Sequence, residues 1–487
     1  MSFASNLEER YMALGLDAAD SRWGATVNSS WFGRAWGALA SPLSSMFASR
    51  AAIGTLLQQL GFAVAVVLFL ILPLPRFVDD KLELAFIVAI GWGLRLLGTL
   101  LAGRERYRAS AIDALVMAYF AMHVVASFSS HYMKDSLFGL GKNLVYLIAY
   151  FLFVWSLQTG TETGSSRRIV IILTAVLGAA TLIALYGLYQ YKIGVAPLAT
   201  WEDPSIEDKT TRIYSTLKNP NLLAGYLIPM IPLSFGMTMA CWFARKQLGV
   251  KATLGFVFFL GCTAALKIAT LLTGSRGAWI ALGLESAAFL VVGASWVWRK
   301  RPKWRWMVVS AVLAVPLLAV AILQFHLLPQ KYELRVLSIF AGAEHSSNAY
   351  RLNVYRASFK MLKDNWWLGI GSGNKTFVLV YGLYMKSGFD ALGTYCVPLE
   401  IAVETGVLGL AAFGSMLLSL SARAHRRFWS GTNMVHRWLA LTAMVAIIGM
   451  MAHGLVDTVF FRPQVQFVFW LCVAIIVALP DESNQKT

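Results

Sequence analysis

Two segments of this sequence have residue types and spacing suited to holding an anion. The first is Arg212–Tyr226, RIYSTLKNPNLLAGY. Asn219 can cap a helix, and Pro220 suits the first helical position. A helix N-terminus offers N–H donors and the positive end of the helix dipole. Arg212, Lys218 and Asn221 surround that start. An ordinary capped helix with snorkelling basic residues fits this segment equally well. The second segment is Thr273–Trp279, TGSRGAW. Gly274 and Gly277 permit close backbone approach. Ser275 can cap the next helix, and Arg276 is costly there unless it meets water, lipid phosphate or a ligand. Two helix starts and two arginines on one side are more specific than either turn alone.

Other residues are candidates for proton transfer. His453 and Asp457 stand four apart and share a helix face. They suit a proton relay, an orienting pair or a plain interhelical hydrogen bond. His345 lies in a long loop, where it can titrate, act as a base or be merely solvated. Arg95, Asp113, Lys142, Lys267, Glu285, Glu400, Glu404 and Asp457 fall inside apolar runs. An Arg, Lys or Asp at mid-bilayer costs about 2.5–3.5 kcal/mol, so such residues usually face a bundle interior or a wet cavity. Asp113, near a boundary, can cap a helix and needs no function. Gly369–Gly373, GIGSG, follows no strand, which excludes a nucleotide fold, and reads as a turn. No spacing suggests a zinc site, and neither a metal nor a cofactor is expected.

The elements that must position these residues follow from composition. Of 487 residues, 57% are apolar and 14% charged, with mean hydropathy +0.61. A soluble chain carries about 25% charged residues. The fold class is therefore an all-α polytopic membrane protein. A span needs about 20 apolar residues. About twelve runs qualify, near 52–74, 82–101, 111–130, 137–157, 169–190, 221–243, 252–272, 277–297, 306–328, 395–421, 437–459 and 463–480. The loops after the second, fourth, sixth, eighth and tenth runs hold 16 of the 42 arginines and lysines, whereas the short loops after the first, third, seventh and eleventh runs carry one or two each. The positive-inside rule then places both termini in the cytoplasm. Much of the net charge of +17 is thus a topology signal, and nucleic-acid binding is rejected.

Parity places two long connections outside, about 191–220 and 329–394. Loops beyond about 15 residues are usually functional or disordered. In the second, Leu352, Tyr355, Phe359, Leu362 and Trp366 recur at steps of three and four, flanked by Arg356, Lys360 and Lys363. This predicts a basic amphipathic helix, capped by Ser346, Ser347 or Asn348, that lies on the outer surface, roofs a cavity or packs within an external subdomain. The first 50 residues carry Glu8, Glu9, Asp17 and Asp20 and no apolar core, so no cleavable signal peptide is expected. Trp31–Phe47 reads as either a surface-lying amphipathic helix or a loosely ordered tail. The expected division is a cytoplasmic segment 1–50, a bundle 51–328, an outer loop 329–394, a bundle 395–480 and a cytoplasmic tail 481–487.

Several of these segments resemble the O-antigen ligase and polymerase superfamily of bacterial inner membranes. They are Arg212…Asn219-Pro220-Asn221, the turn Gly274–Gly277, the helix Arg351–Trp367 leading into Leu368–Gly371, and Glu404–Gly409. The closest resemblance within it is to the cyanobacterial IctB-type group named for bicarbonate transport. That likeness rests on residues 200–205, 335–340, 350–355, 397–406 and the His453, Asp457, Thr458 region. Superfamily membership implies glycan transfer from a polyprenyl-diphosphate carrier to a lipid acceptor without a metal. It implies that Arg212 and Arg276 hold the diphosphate, with Lys218, Asn219, Asn221, Ser275, Arg351, Arg356, His453 and Asp457 around the substrate. The family's His-Asn pair at the end of the outer loop falls on Tyr395-Cys396, so the expected catalytic histidine is missing. Tyr395, with an ordinary pKa of about 10, is a poor base. Glu400, Glu404 and His345 are the substitutes.

Three functions follow as expectations. The first is glycan transfer or polymerisation from a lipid-linked glycan diphosphate. The second is transport or accumulation of a small anion such as bicarbonate. The third is a non-catalytic scaffold that binds lipid diphosphate. Against transport, the sequence shows no repeated halves and no matched pair of broken helices. Membrane lipids are the other expected partners, and the sequence does not give the oligomeric state.

Overall fold

The computed structural model describes residues 10–31, 33–35, 37–38, 42, 51–77, 81–103, 107–159, 161–196, 212–326, 330–340 and 346–480. Most of the expected helix over 31–47 lies outside the described residues, as do residues 200–205 and His345.

Hydrocarbon offers the backbone no hydrogen-bond partners, so apolar runs fold into helices that satisfy themselves. The chain runs through α1 (Asp17–Ser29), α2 (Ala51–Ile71), α3 (Lys81–Ala102), α4 (Ala111–Phe128), α5 (Met133–Leu157) and α6 (Glu162–Ile193). Then follow α7 (Pro220–Leu227), α8 (Met230–Leu248), α9 (Val250–Leu272), α10 (Arg276–Lys300) and α11 (Arg305–Gln324). The long outer connection forms α12 (Gln330–Phe340), α13 (Ser346–Asp364) and α14 (Asn374–Tyr381). The chain ends in α15 (Val397–Ser430), α16 (Met434–Gly454) and α17 (Pro463–Ala478). Among the described residues, ten helices are long and apolar enough to cross a membrane, with α7 and α8 counted as one. The helices α11 and α17 stand where the ninth and twelfth spans are expected.

The short helix α17 is the axis of the bundle. Every one of its residues is buried. A helix apolar on all sides belongs in a core. Its Trp470 meets the rings of Phe120, Tyr150 and Phe469 at 5.4, 5.6 and 5.0 Å.

The two ends of the bundle are built differently. At one end, α1 is tied on by Arg423 of α15. That guanidinium is fully buried and lies 3.1 Å from Asp17, 2.9 Å from Asp20 and 2.9 Å from the Ser110 hydroxyl. Asp113 closes a capping box with Ser110 and accepts from Tyr150 at 2.5 Å, a structural role. The opposite end collects the turns after α6 and α9, the helices α12 to α14, and the α16–α17 connection.

Two features differ from the sequence reading. The span α15 is broken: Gly406 has φ 68°, and a Cβ there would lie 2.1 Å from the Trp367 carbonyl oxygen. Into that break the extended turn segment Trp366–Gly371 inserts. The N–H groups of Ile370 and Gly371 donate to the carbonyls of Val403 and Glu404, and that of Val407 donates to Trp366. A glycine within an apolar run leaves no periodic signal, so the break is invisible in sequence. In α13, the face that packs inward is Val354, Ala357, Ser358 and Met361, while Phe359 and Trp366 of the expected stripe stay exposed. The helix therefore packs within an outer subdomain, with Tyr355 and Leu362 of the expected stripe partly buried against the same core. Only the two bulky aromatics Phe359 and Trp366 are left on the outside.

Truncating one partner of a buried ion-paired cluster strands the other charges. Arg423→Ala should cost about 3–5 kcal/mol. Denaturant unfolding of the detergent-solubilised chain checks this, and an unchanged midpoint would contradict it.

Candidate functional site

The turn Thr273–Arg276 is the centre of a cationic cluster. Arg212 Nε donates to the Thr273 carbonyl at 2.8 Å. Arg335 Nε donates to the next carbonyl, Gly274, at 2.6 Å. Arg276 begins α10 and donates through Nη1 to the Ser338 hydroxyl at 3.2 Å and the Ser338 carbonyl at 3.3 Å. Asn348 Nδ2 donates to that same carbonyl at 3.2 Å. Three guanidiniums from α10, α12 and the connection before α7 thus meet one turn. Gly274 has φ 61°, and a Cβ there would touch Arg335 and Arg212 at 3.3 and 3.5 Å.

The two helix starts behave differently. Asn219 caps α7 as expected, and its side-chain oxygen accepts from the N–H groups of Asn221 (2.8 Å) and Leu222 (3.1 Å). Those donors are therefore taken, which corrects the expectation that they face the loop free. Ser275 stands at the N-cap of α10 but makes no capping bond. Its hydroxyl lies 3.4 Å from His453 Nε2 instead. The helix whose first turn has no side-chain cap is the one that carries Arg276.

A second line of hydrogen bonds ties the cluster to the α16–α17 connection, where Asp457 lies beyond the end of α16, which corrects the expectation that it shares a helix face with His453. Arg212 Nη2 donates to Asn221 Oδ1 at 2.6 Å, and Asn221 Nδ2 donates to Asp457 Oδ2 at 3.0 Å. Asp457 Oδ1 accepts from the Val459 N–H at 3.1 Å. His453 is buried between Gly225 and Gly277, where added Cβ atoms would lie 3.3 and 2.8 Å from its ring. His453 and Asp457 thus each bond a different helix start.

The other expected residues divide into three places. Arg351 stands with its guanidinium carbon 6.0 Å from the Tyr395 ring centroid. Tyr395 has φ 58°, a strained conformation for a non-glycine residue. Its carbonyl accepts from the Tyr355 hydroxyl at 3.2 Å, and that hydroxyl also reaches the Leu455 carbonyl at 3.3 Å. Burial first, and then the nearby Tyr350 and Asp457, push the Tyr395 phenol up to about 12. The shift runs away from neutral pH and leaves Tyr395 a still poorer base. Lys218 and Arg356 are exposed.

Glu400 and Glu404 line a separate cavity with Asp135, Lys142, Asn143, Asn374 and Lys375. Glu400 accepts from the Thr394 N–H at 3.0 Å, and Glu404 from the Gly373 N–H at 2.9 Å. Glu404 also lies 3.9 Å from His123 Nδ1, which is 2.8 Å from the Ser372 hydroxyl. Of the intramembrane cations, Arg95 is buried and donates to the Trp155 and Gln58 carbonyls. Lys267 is exposed on the helix surface. Arg335, Ser338, His123 and Lys375 are additions that sequence reasoning missed. For Arg335 a signal existed, since it opens the quoted 335–340 stretch within an outer loop.

Residues 256–414 match the family described as O-Antigen ligase. The matched stretch holds the Thr273–Arg276 turn, Arg335, α13, Tyr395 and both glutamates, and lies N-terminal to His453 and Asp457. The match supports the superfamily resemblance and a ligase-like function in membrane glycan transfer. No curated protein matches the chain.

Replacing Asn221 by leucine removes both of its bridging hydrogen bonds and leaves Arg212 and Asp457 without that partner. A loss of about 1–3 kcal/mol is expected. A thermal melt of the purified full chain measures it, and a melting temperature equal to wild type would count against the bridge.

Proposed function

We propose that this protein transfers or polymerises a glycan from a polyprenyl-diphosphate carrier, without a metal, at the arginine cluster. One observation carries the reading. Arg212 and Arg335 bond successive carbonyls of the turn from which Arg276 and the uncapped α10 N-terminus project. A diphosphate carries its charge over several oxygens, and planar guanidinium forks match that geometry. The acceptor hydroxyl attacks the anomeric carbon of the carried sugar. The bond from that carbon to the diphosphate oxygen breaks, and the leaving diphosphate keeps the electron pair. Donors already fixed around that charge stabilise the transition state.

The hydroxyl's proton needs an acceptor. Asp457 is the carboxylate hydrogen-bonded into the cluster through Asn221, and we assign the proton to it. Glu400 and Glu404 stand across the 394–396 segment, and Tyr395 holds its proton at neutral pH. The reading also takes the cluster to face away from the cytoplasm, because the arginine-rich loops belong to the other end of the bundle. The bicarbonate reading uses the same cluster for a small anion. It gains nothing from Arg95, whose guanidinium is spent on backbone carbonyls.

Membranes supplied with a polyprenyl-diphosphate-linked oligosaccharide test the proposal. Arg276→Ala and Arg335→Ala should each lower transfer by about 100-fold or more, the usual effect of losing one preorganised donor. Transfer at the wild-type rate in both variants would overturn it, and uptake of labelled bicarbonate by reconstituted protein would favour the second reading.

A further inference from the structure

The cavity lined by Glu400 and Glu404 adjoins the exposed apolar side chain of Phe138. Phe138, Lys142 and Tyr146 line it, and the same three residues line an apolar groove between α3, α5 and α17. The groove continues over Leu82, Ala85, Leu137, Val145, Pro463 and Phe467. Polar cavity and apolar groove are therefore one continuous surface feature.

Its charges are arranged unevenly. The ammonium groups of Lys142 and Lys375 stand 4.6 and 5.2 Å from the centroid of one ring, Phe138. Neither makes an ion pair within 4.0 Å among the described residues. Two like charges gathered on one aromatic ring repel unless an anion comes between them. The carboxylates Glu400 and Glu404 are buried at the back of the cavity, each accepting a backbone N–H. Asp135, in the first turn of α5, is half-buried at the same cavity. Lys142 sits where the cavity passes into the groove, because it and Phe138 line both, and Lys375 lines the cavity beside the same ring.

We propose that this feature binds a lipid whose headgroup carries a net negative charge, with the headgroup phosphate between Lys142 and Lys375 and a hydrocarbon chain along the groove. A free anion would use the lysines and leave the apolar groove empty. A neutral lipid would use the groove and leave the two ammonium groups without an ion pair. The anionic lipid satisfies both at once. This site shares no residue with the arginine cluster, so it stands or falls separately from the glycan-transfer reading.

Native mass spectrometry of the delipidated full-length chain in neutral detergent provides the test, with phosphatidylglycerol and phosphatidylcholine of identical acyl chains as probes. Phosphatidylglycerol should bind about tenfold more tightly, and the double variant K142Q/K375Q should lose that preference. Lys142→Arg with Lys375→Arg should retain it, which separates lost charge from misfolding. Gly141 lines the groove, and a Cβ added there meets nothing within 4 Å. Gly141→Trp should therefore fold and reduce binding of both lipids. Arg276→Ala should leave phosphatidylglycerol binding unchanged. Equal binding of the two lipids by wild type would overturn the proposal. So would full displacement of phosphatidylglycerol by millimolar inorganic phosphate, because the chain would then contribute nothing.

Discussion

A guanidinium at membrane depth must find acceptors, because neither lipid tails nor bulk water will supply them. Much of this fold is organised by how its arginines meet that demand. Arg95 joins α3 to α5 and α2 through two carbonyls. Arg423 fastens α1 beneath α4 and α15. Arg212 and Arg335 reach in from connections far apart in sequence and bond neighbouring carbonyls of one turn. The first two close structural gaps by joining neighbouring helices. The last two do something different, because they deliver positive charge beside a third arginine and a helix start without a side-chain cap.

That contrast separates charge spent on packing from charge to which we assign binding. Arg95 and Arg423 are fully buried. Arg212, Arg276 and Arg335 are only partly buried and stand at the end of the bundle that carries α12 to α14. The outer connection therefore contributes more than a cover. Its α12 provides Arg335 and Ser338, and its α13 provides Asn348 and Arg351. A rim of this kind can position charge that the spans alone do not hold.

Most of the architecture was legible in the sequence, since runs of about 20 apolar residues have few alternatives. All twelve expected runs correspond to helices, and Arg212 and Arg276 do share one turn. What was hidden depends on tertiary approach. Gly406 breaks α15 where the Trp366–Gly371 segment occupies the gap. The packed face of α13 was misread because small residues such as Ala357 and Ser358 carry little apolar weight, while exposed Phe359 and Trp366 carry much. Arg335 has no distinguishing spacing in the sequence, and it is α12 that places it over Gly274. Lys142 and Lys375 are 233 positions apart by number (375 minus 142), and no spacing rule pairs them.

The central claim is that the cluster around Thr273–Arg276 is built for a diphosphate. Calorimetric titration of the detergent-solubilised protein with a short-chain polyprenyl diphosphate, and with the matching monophosphate, tests it most directly. The account predicts that the diphosphate binds about tenfold or more tightly than the monophosphate, consistent with added charge-assisted bonds, and that Arg335→Ala removes the difference. Equal affinity for the two ligands in the unaltered protein would contradict it.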